Sequence, residues 1–314
     1  MTEAEFDQLM DRAYAASGAG RLHEASRHFA ALLEARPDSH NFHYMRGLVH
    51  KYLRDWPTSL QHNLRAVETA KEPDQASQWN AGIAATALGD WATARRQWIA
   101  AGIRLPEGDG PIDSDFGLAS VRLNPWSDGE TVFARRVDVV RARLLNVPLP
   151  ESGYRFGDIV LHDGAPTGRR ATGGTTVPVF NVLQRLAPSD FRTFTAFVRC
   201  DTPAARDELL AMSLPGIGYL EDWTDSIVRY CLRCSHGTPH SHDKGGDGAW
   251  QSDRNLGIAA QSRAAVDRLL ENWKAAGKGR QVDGVESREH AVPVPEDGQV
   301  WWRGPEDDEQ NDGD

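Results

Sequence analysis

Gly89-Asp90-Trp91-Ala92-Thr93-Ala94-Arg95-Arg96-Gln97-Trp98, followed by Ala101 and Pro106, is the stretch that decides the fold, because its pattern is written twice before it. One period upstream stand Asp55-Trp56, Ser59, Asn63 and Ala66, closed by Pro73, with Gly47 where the later unit has Gly82. A further period upstream stand Gly20-Arg21-Leu22, Ala25, Phe29, Leu32 and Leu33, closed by Pro37. Leu22, Trp56 and Trp91 are spaced by 34 and 35 residues. A fixed period of this length marks units that stack because none can bury its apolar face alone.

The residues inside the period have physical roles. A glycine at 47 and 82 lets the first helix of a unit approach its neighbour closely. Gly20 and Gly89 fall at the turn between helices, where a positive φ is cheap for glycine alone. Ala25 and Phe29, like Ala94 and Trp98, alternate small and large on the second helix, and proline closes each unit. These residues resemble the tetratricopeptide repeat (TPR) family, over three units from Phe6 to Pro106, about a third of the chain. Arg54 and Asn63 depart from the pattern in the second unit. The resemblance implies a helical solenoid over 1–110 that holds a protein or peptide partner in the repeat groove and is not itself a catalyst. His43, Arg46, His50, Gln78 and Asn80 are candidates to line that groove, a solvated helix face being the alternative. Trp56, Trp91 and Trp98 hold repeat-register positions and are expected in the core.

The chain of 314 residues, 40% apolar and 25% charged, is long enough for two or three domains. It has no run of about 18 apolar residues, so no transmembrane helix is expected. Its acidic start predicts no secretory leader. Three cysteines fit a reducing cytoplasm better than a disulfide framework. The net charge is −10, yet residues 295–314 hold eight acidic side chains against one arginine, so the body is near neutral. Bulk charge therefore argues against a nucleic-acid partner.

Around Glu107-Gly-Asp-Gly-Pro111 the composition shifts to linker residues. Short β-like runs follow at Thr131–Val137, Ala142–Leu149, Asp158–Leu161 and Thr176–Phe180, with a tight turn expected at His162-Asp163-Gly164. These predict a small β-rich subdomain over 111–190. Strand Thr193–Cys200, a helix after Thr202-Pro203, β-rich Gly218–Leu220 and Ser226–Tyr230, strand Asn255–Ala260, a helix capped by Ser262 and strand Val282–Val285 then predict a ferredoxin-like α/β domain over 191–292. An acidic disordered tail is expected over 293–314, except that the adjacent indoles Trp301-Trp302 could dock on the body or on a partner. The fold class read from the sequence is thus multidomain, α plus α+β.

One constellation carries chemistry. Cys231-Leu-Arg-Cys234-Ser-His236-Gly-Thr-Pro-His240-Ser-His242 gathers two of three cysteines and three of eleven histidines into twelve residues, inside a loop at 231–250. A Cys-x2-Cys knuckle with two imidazoles completes a tetrahedral shell that suits zinc. Cys231, Cys234, His240 and His242 are the favoured ligands of a structural zinc. A His-rich loop without metal, a redox Cys pair and a catalytic zinc are the competing readings. Elsewhere the chain has no Gly-x-Ser-x-Gly, phosphate-loop or His-Glu-x-x-His signature. Ala171–Thr176 reads as a hairpin turn, and His162-Asp163 as an acid/base pair or an ordinary turn. Cys200 reads as an inert buried thiol. The reading is a cytoplasmic, non-enzymatic scaffold or adaptor, and the resemblance of this architecture to lone bacterial-style TPR chains implies an adaptor or a toxin-neutralising immunity protein. The alternative is a metal-dependent hydrolase that uses the repeat to select its substrate.

Overall fold

The computed structural model describes residues 1–127, 129–226 and 250–303. Helices α1 (Glu3–Gly18), α2 (Leu22–Ala35), α3 (His40–Tyr52), α4 (Trp56–Thr69), α5 (Gln75–Leu88) and α6 (Trp91–Ala100) form three consecutive helix pairs, each helix packed on the next. This is a TPR-like array. Asp55 and Asp90 cap the second helices of units two and three by accepting from the Thr58 and Thr93 backbone N–H groups. The matching residue of unit one is Arg21, which makes no side-chain cap.

The repeat register is visible in close approaches. A Cβ on Gly82 would lie 2.6 Å from the Trp98 ring, and one on Gly47 would lie 2.5 Å from the Asn63 side chain. Asn63 thus occupies the slot that Trp98 fills in unit three. Its Nδ2–H donates to the Ser59 carbonyl at 2.8 Å, while the Ser59 hydroxyl donates to the Gly47 carbonyl at 2.9 Å, so the degenerate unit exchanges apolar packing for buried hydrogen bonds. Gly20 and Gly89 have φ of +74° and +71°, and Arg54, at the equivalent turn, has φ +59°.

After the linker, β1 (Leu118–Arg122), β2 (Thr131–Arg136), β3 (Arg141–Leu144), β4 (Ile159–Thr172) and β5 (Thr175–Ala187) close a barrel in chain order. Successive strands are antiparallel, and β1 meets β5 in parallel through Ser120↔Val179 and Val121↔Phe180. Val121, Val132, Ala134, Ala142, Leu144, Val160 and Val182 bury together in one cluster, as befits a barrel too small to hold a channel. Gly173 and Gly174, both at positive φ, make the expected turn between β4 and β5. The turn expected at His162–Gly164 is corrected: these residues lie inside β4, where the pairing with β5 slips between Leu161 and Pro166. A bulge bends a strand without ending it, and glycine beside aspartate suits both.

The next unit runs β6 (Arg192–Cys200), α7 (Pro203–Ala211), β7 (Ile217–Asp222), a single turn α8 (Trp223–Ser226), β8 (Asp253–Ala260), α9 (Arg263–Ala275) and β9 (Arg280–Ser287). Its sheet order is β7-β8-β6-β9 with antiparallel neighbours. Leu209 of α7 and Leu269 and Trp273 of α9 cover one face around Phe194, Val198, Leu256 and Ile258. The result is a β-α-β-β-α-β sandwich. The other face meets the barrel: Trp223 Nε1–H donates to the Val147 carbonyl at 3.1 Å, and Val147 packs with Trp223 and Ala259. Glu221 accepts from Asn146 Nδ2 and the Val147 N–H, and Glu130 accepts from the Leu149 N–H. Burial, reinforced by the Glu221 charge and opposed by the Leu149 bond, pushes the Glu130 carboxyl up to about 8.

The chain then returns to the repeat, where the indoles of the expected tail dock on the body and residues 293–303 are ordered with them. Residues 288–303 form an extended strap. The Asp297 carboxylate accepts from the Leu22 N–H at 2.7 Å, Gly298 N–H donates to the Gly20 carbonyl at 2.9 Å, and Trp301 is 4% exposed. Two indoles have enough apolar area to hold an otherwise polar segment. Residues 304–314 lie outside the described residues. Among the described residues no helix is long and apolar enough to cross a membrane.

Gly82→Leu should force the Trp98 ring aside and lower stability by about 1–3 kcal/mol. Thermal unfolding of the variant checks this, and an unchanged midpoint would refute the register.

Candidate functional site

The surface that the repeat offers to other groups can be derived from helical spacing. On α3, Lys51 and Tyr52 face the barrel and strap. The Lys51 ammonium donates to both carboxylate oxygens of Asp163 in β4, at 3.1 and 3.2 Å, and both side chains are buried. Leu48 and Tyr44 lie one and two turns earlier on the same face. Tyr44 is half-buried there, and its phenol is raised chiefly by burial, with Lys51 opposing and Asp74 and Asp163 adding to the effect. The repeat period carries the same two positions to Met10 and Tyr14 on α1, and to Trp79 and Ile83 on α5.

In the third unit this stripe is covered. Trp79 lies against Gly164 of the β4 bulge, where a Cβ would stand 2.6 Å from the ring, and Ile83 buries with Leu161 and Leu183 of the barrel. Trp56 Nε1–H donates to Gln184 Oε1 at 2.6 Å, and the Arg141 guanidinium sits 4.7 Å from the Trp91 ring centre. The inner face of unit three is therefore plugged by the chain's own barrel. In the first two units the stripe is open: Tyr14 is 41% exposed with its ring edge-on to Phe29, and Met10, Tyr44 and Leu48 are half-buried. Asn41 and Asp7, one turn earlier on α3 and α1, are exposed and rim this floor.

The groove residues favoured from sequence lie elsewhere, and that expectation is corrected. His43, Gln78 and Asn80 are buried, while His50 and Arg46 are half-buried. His43 stacks on His62, with their Nδ1 atoms 2.9 Å apart. The Pro37 carbonyl can only accept, so His43 Nε2 donates to it at 2.8 Å, and His43 Nδ1 accepts from His62. Burial, helped by the Arg46 charge, lowers His62 to about 4 and keeps it neutral. His50 bridges Ser26 and Asp55. His43 and His50 thus tie helices together rather than line a groove. Carrying the period onto the aromatic positions would have found the stripe instead.

His162 and Asp163 do not form a dyad. His162 is buried, stacks on Phe180 with ring centres 4.4 Å apart, and is lowered to about 4 chiefly by burial, while Asp163 serves Lys51. Cys200 is buried, and loss of water raises its thiol, so it is poorly reactive. Trp56 and Trp98 are buried in one core cluster as expected, whereas Trp91 is half-buried beneath the Arg141 guanidinium. Cys231, Cys234, His236, His240 and His242 lie outside the described residues. Among the described residues no group of three or more His, Cys, Asp or Glu is placed to hold a metal.

No protein-family model matches the sequence, and no curated protein matches it. Among solved structures the chain is similar to the TPR2B-domain:pHsp70 complex of yeast Sti1, with 13% identity over 32% of this chain and 78% of that one, at a TM-score of 0.29. It is also similar to a mutant O-GlcNAc transferase of Thermobaculum terrenum, with 20% identity over 32% of this chain and 20% of that one, at a TM-score of 0.29.

Lys51→Met leaves the buried Asp163 carboxylate uncompensated and should cost about 3–5 kcal/mol, most of it recovered in Lys51→Met/Asp163→Asn. Denaturant unfolding of the single and double variants measures this. A single-variant cost below about 1 kcal/mol, the range of exposed pairs, would show that the contact does not hold barrel to repeat.

Proposed function

We propose that the chain is a non-catalytic protein-binding scaffold whose partner lies along the inner face of the first two repeat units. The observation that carries this is the stripe Met10–Tyr14–Tyr44–Leu48. Its continuation in the third unit, Trp79 and Ile83, is covered by the chain's own β4, so the face is built to be covered. Aromatic side chains with a polar tip suit a surface that is wet when free and dry when bound. The Asp7 and Asn41 rim favours a segment with donors, such as lysine or arginine, beside an apolar side chain.

The test is retention of partners by the immobilised full chain. Tyr14→Ala and Tyr44→Ala should each lose the retained proteins while unfolding at nearly the wild-type temperature. Unchanged retention by the double variant would refute the proposal.

We also propose that Cys231, Cys234, His240 and His242 hold a structural zinc. Its support is the Cys-x2-Cys and His-x-His spacing, which suits a closed four-ligand shell. Elemental analysis of the purified protein should give one zinc per chain, lost in Cys234→Ser and kept in His236→Ala. Metal-free protein would refute it, and loss with His236→Ala would overturn the ligand choice.

A further inference from the structure

The strap binds the way a peptide ligand binds. Its residues between β9 and Trp301 are mostly exposed, including Val294 and Val300, and Trp301 is its one buried side chain. The Trp301 ring meets Tyr52 of α3 at 5.4 Å and Trp126 of the β1–β2 connection at 5.2 Å, both edge-on. Asn181 of β5 donates through Nδ2 to the Trp301 carbonyl at 3.3 Å, and Trp302 stacks on Tyr52 at 4.3 Å. The socket therefore belongs to repeat and barrel jointly. Four residues upstream, Asp297 accepts from Leu22 at the start of α2 and takes the place of the cap that unit one lacks. One anchoring indole, one carboxylate and one backbone contact are the makings of a recognised segment.

The strap leaves the socket unsatisfied in one specific way. Among the described residues the buried Trp126 Nε1–H finds no acceptor and the buried Asn181 Oδ1 finds no donor. Arg54 stands over the Trp126 ring at 5.4 Å, half-buried and, among the described residues, in no ion pair. It holds this place at φ +59°, at the turn where units one and three use glycine, so the backbone bears strain to put a guanidinium there. An indole N–H and a guanidinium both call for an acceptor, and a carboxylate beside the anchoring aromatic would satisfy both.

We infer that residues 297–303 are a resident cis-ligand, and that the socket of Tyr52, Trp126, Asn181 and Arg54 exchanges it for a partner protein's extended segment bearing an aromatic residue flanked by a carboxylate. This rests on the scaffold reading and adds the chemistry of one partner segment. A short tether gives the strap an effective concentration on the order of 1 mM. Against a peptide affinity on the order of 10 μM, about one socket in a hundred is then open.

The probe is a fluorescein-labelled peptide of the strap sequence, residues 295–303, followed by anisotropy against the full chain. Trp301→Ala removes the anchor while the strap stays attached, and should bind the peptide about a hundredfold more tightly than wild type does. A peptide carrying Arg303→Glu should bind Trp301→Ala more tightly than the strap peptide, and adding Arg54→Gly, which suits the positive φ, should abolish that preference. If Trp301→Ala fails to fold, Asp297→Ala takes its place in the same assay. A folded variant that binds neither peptide overturns the inference, as does a preference for the acidic peptide that survives Arg54→Gly. Wild-type chain that elutes as a dimer with exchanged straps overturns it too, since the resident ligand would then act between copies. Partner retention through Tyr14 and Tyr44 is read separately, so each proposal can fail without the other.

Discussion

Trp79 stands at the junction on which the molecule depends. One side of its ring lies against Gly164, where no side chain larger than hydrogen fits. Another meets Trp98 edge-on with ring centres 5.1 Å apart, and Trp98 in turn fills the space left by Gly82. A line of contacts thus runs from the repeat register through two indoles into the bulge of β4. Beside it the buried Lys51–Asp163 pair orients the same bulge. Interiors pack as densely as crystals, so a shift in one of these groups is transmitted to the next. Repeat and barrel share a core, with Ile83, Ala84 and Trp98 in one cluster with Val139, Leu161 and Leu183.

That shared core explains how a three-unit solenoid divides its inner face. The end bearing Trp79 and Ile83 is consumed in holding the barrel, and the end bearing Met10 and Tyr14 stays available. The strap closes the arrangement from a third direction by crossing the turn at Gly20 and the end of α3 at Tyr52. The sandwich is attached differently, through Trp223 and the Glu221 carboxylate, which hold Asn146 and Val147 of the barrel. Beside this joint, Glu130 accepts from the Leu149 N–H inside the barrel, and burial, with the nearby Glu221 adding to it, raises its carboxyl.

The second repeat unit shows how a departure from pattern can be informative. Asn63 and Ser59 replace a large and a small apolar residue, and they keep the fold because each donates to a backbone carbonyl. Arg54 replaces a glycine and keeps the positive φ, yet its guanidinium lies over a tryptophan of another domain. Local rules are broken where something nonlocal is gained.

The sequence by itself determined the helical array, its three-unit register and the glycine positions, since these follow from a period of fixed length and from backbone sterics that act within a few residues. It also determined most strands and the helices after Thr202 and Ser262, whose caps and alternation are local signals. β1 escaped it, because Leu118–Arg122 is short and buried almost throughout and shows no alternation. The inner-face stripe was legible in principle, as the same period applied to Tyr44 and Leu48 reaches Met10, Tyr14, Trp79 and Ile83. Which half of that stripe is open was not, because it depends on where a strand more than 75 residues away places one glycine and one aspartate. The strap was hidden for a related reason. Its composition is that of a solvated tail, and only the socket formed by Tyr52, Trp126 and Asn181, from three distant parts of the chain, makes burying Trp301 favourable.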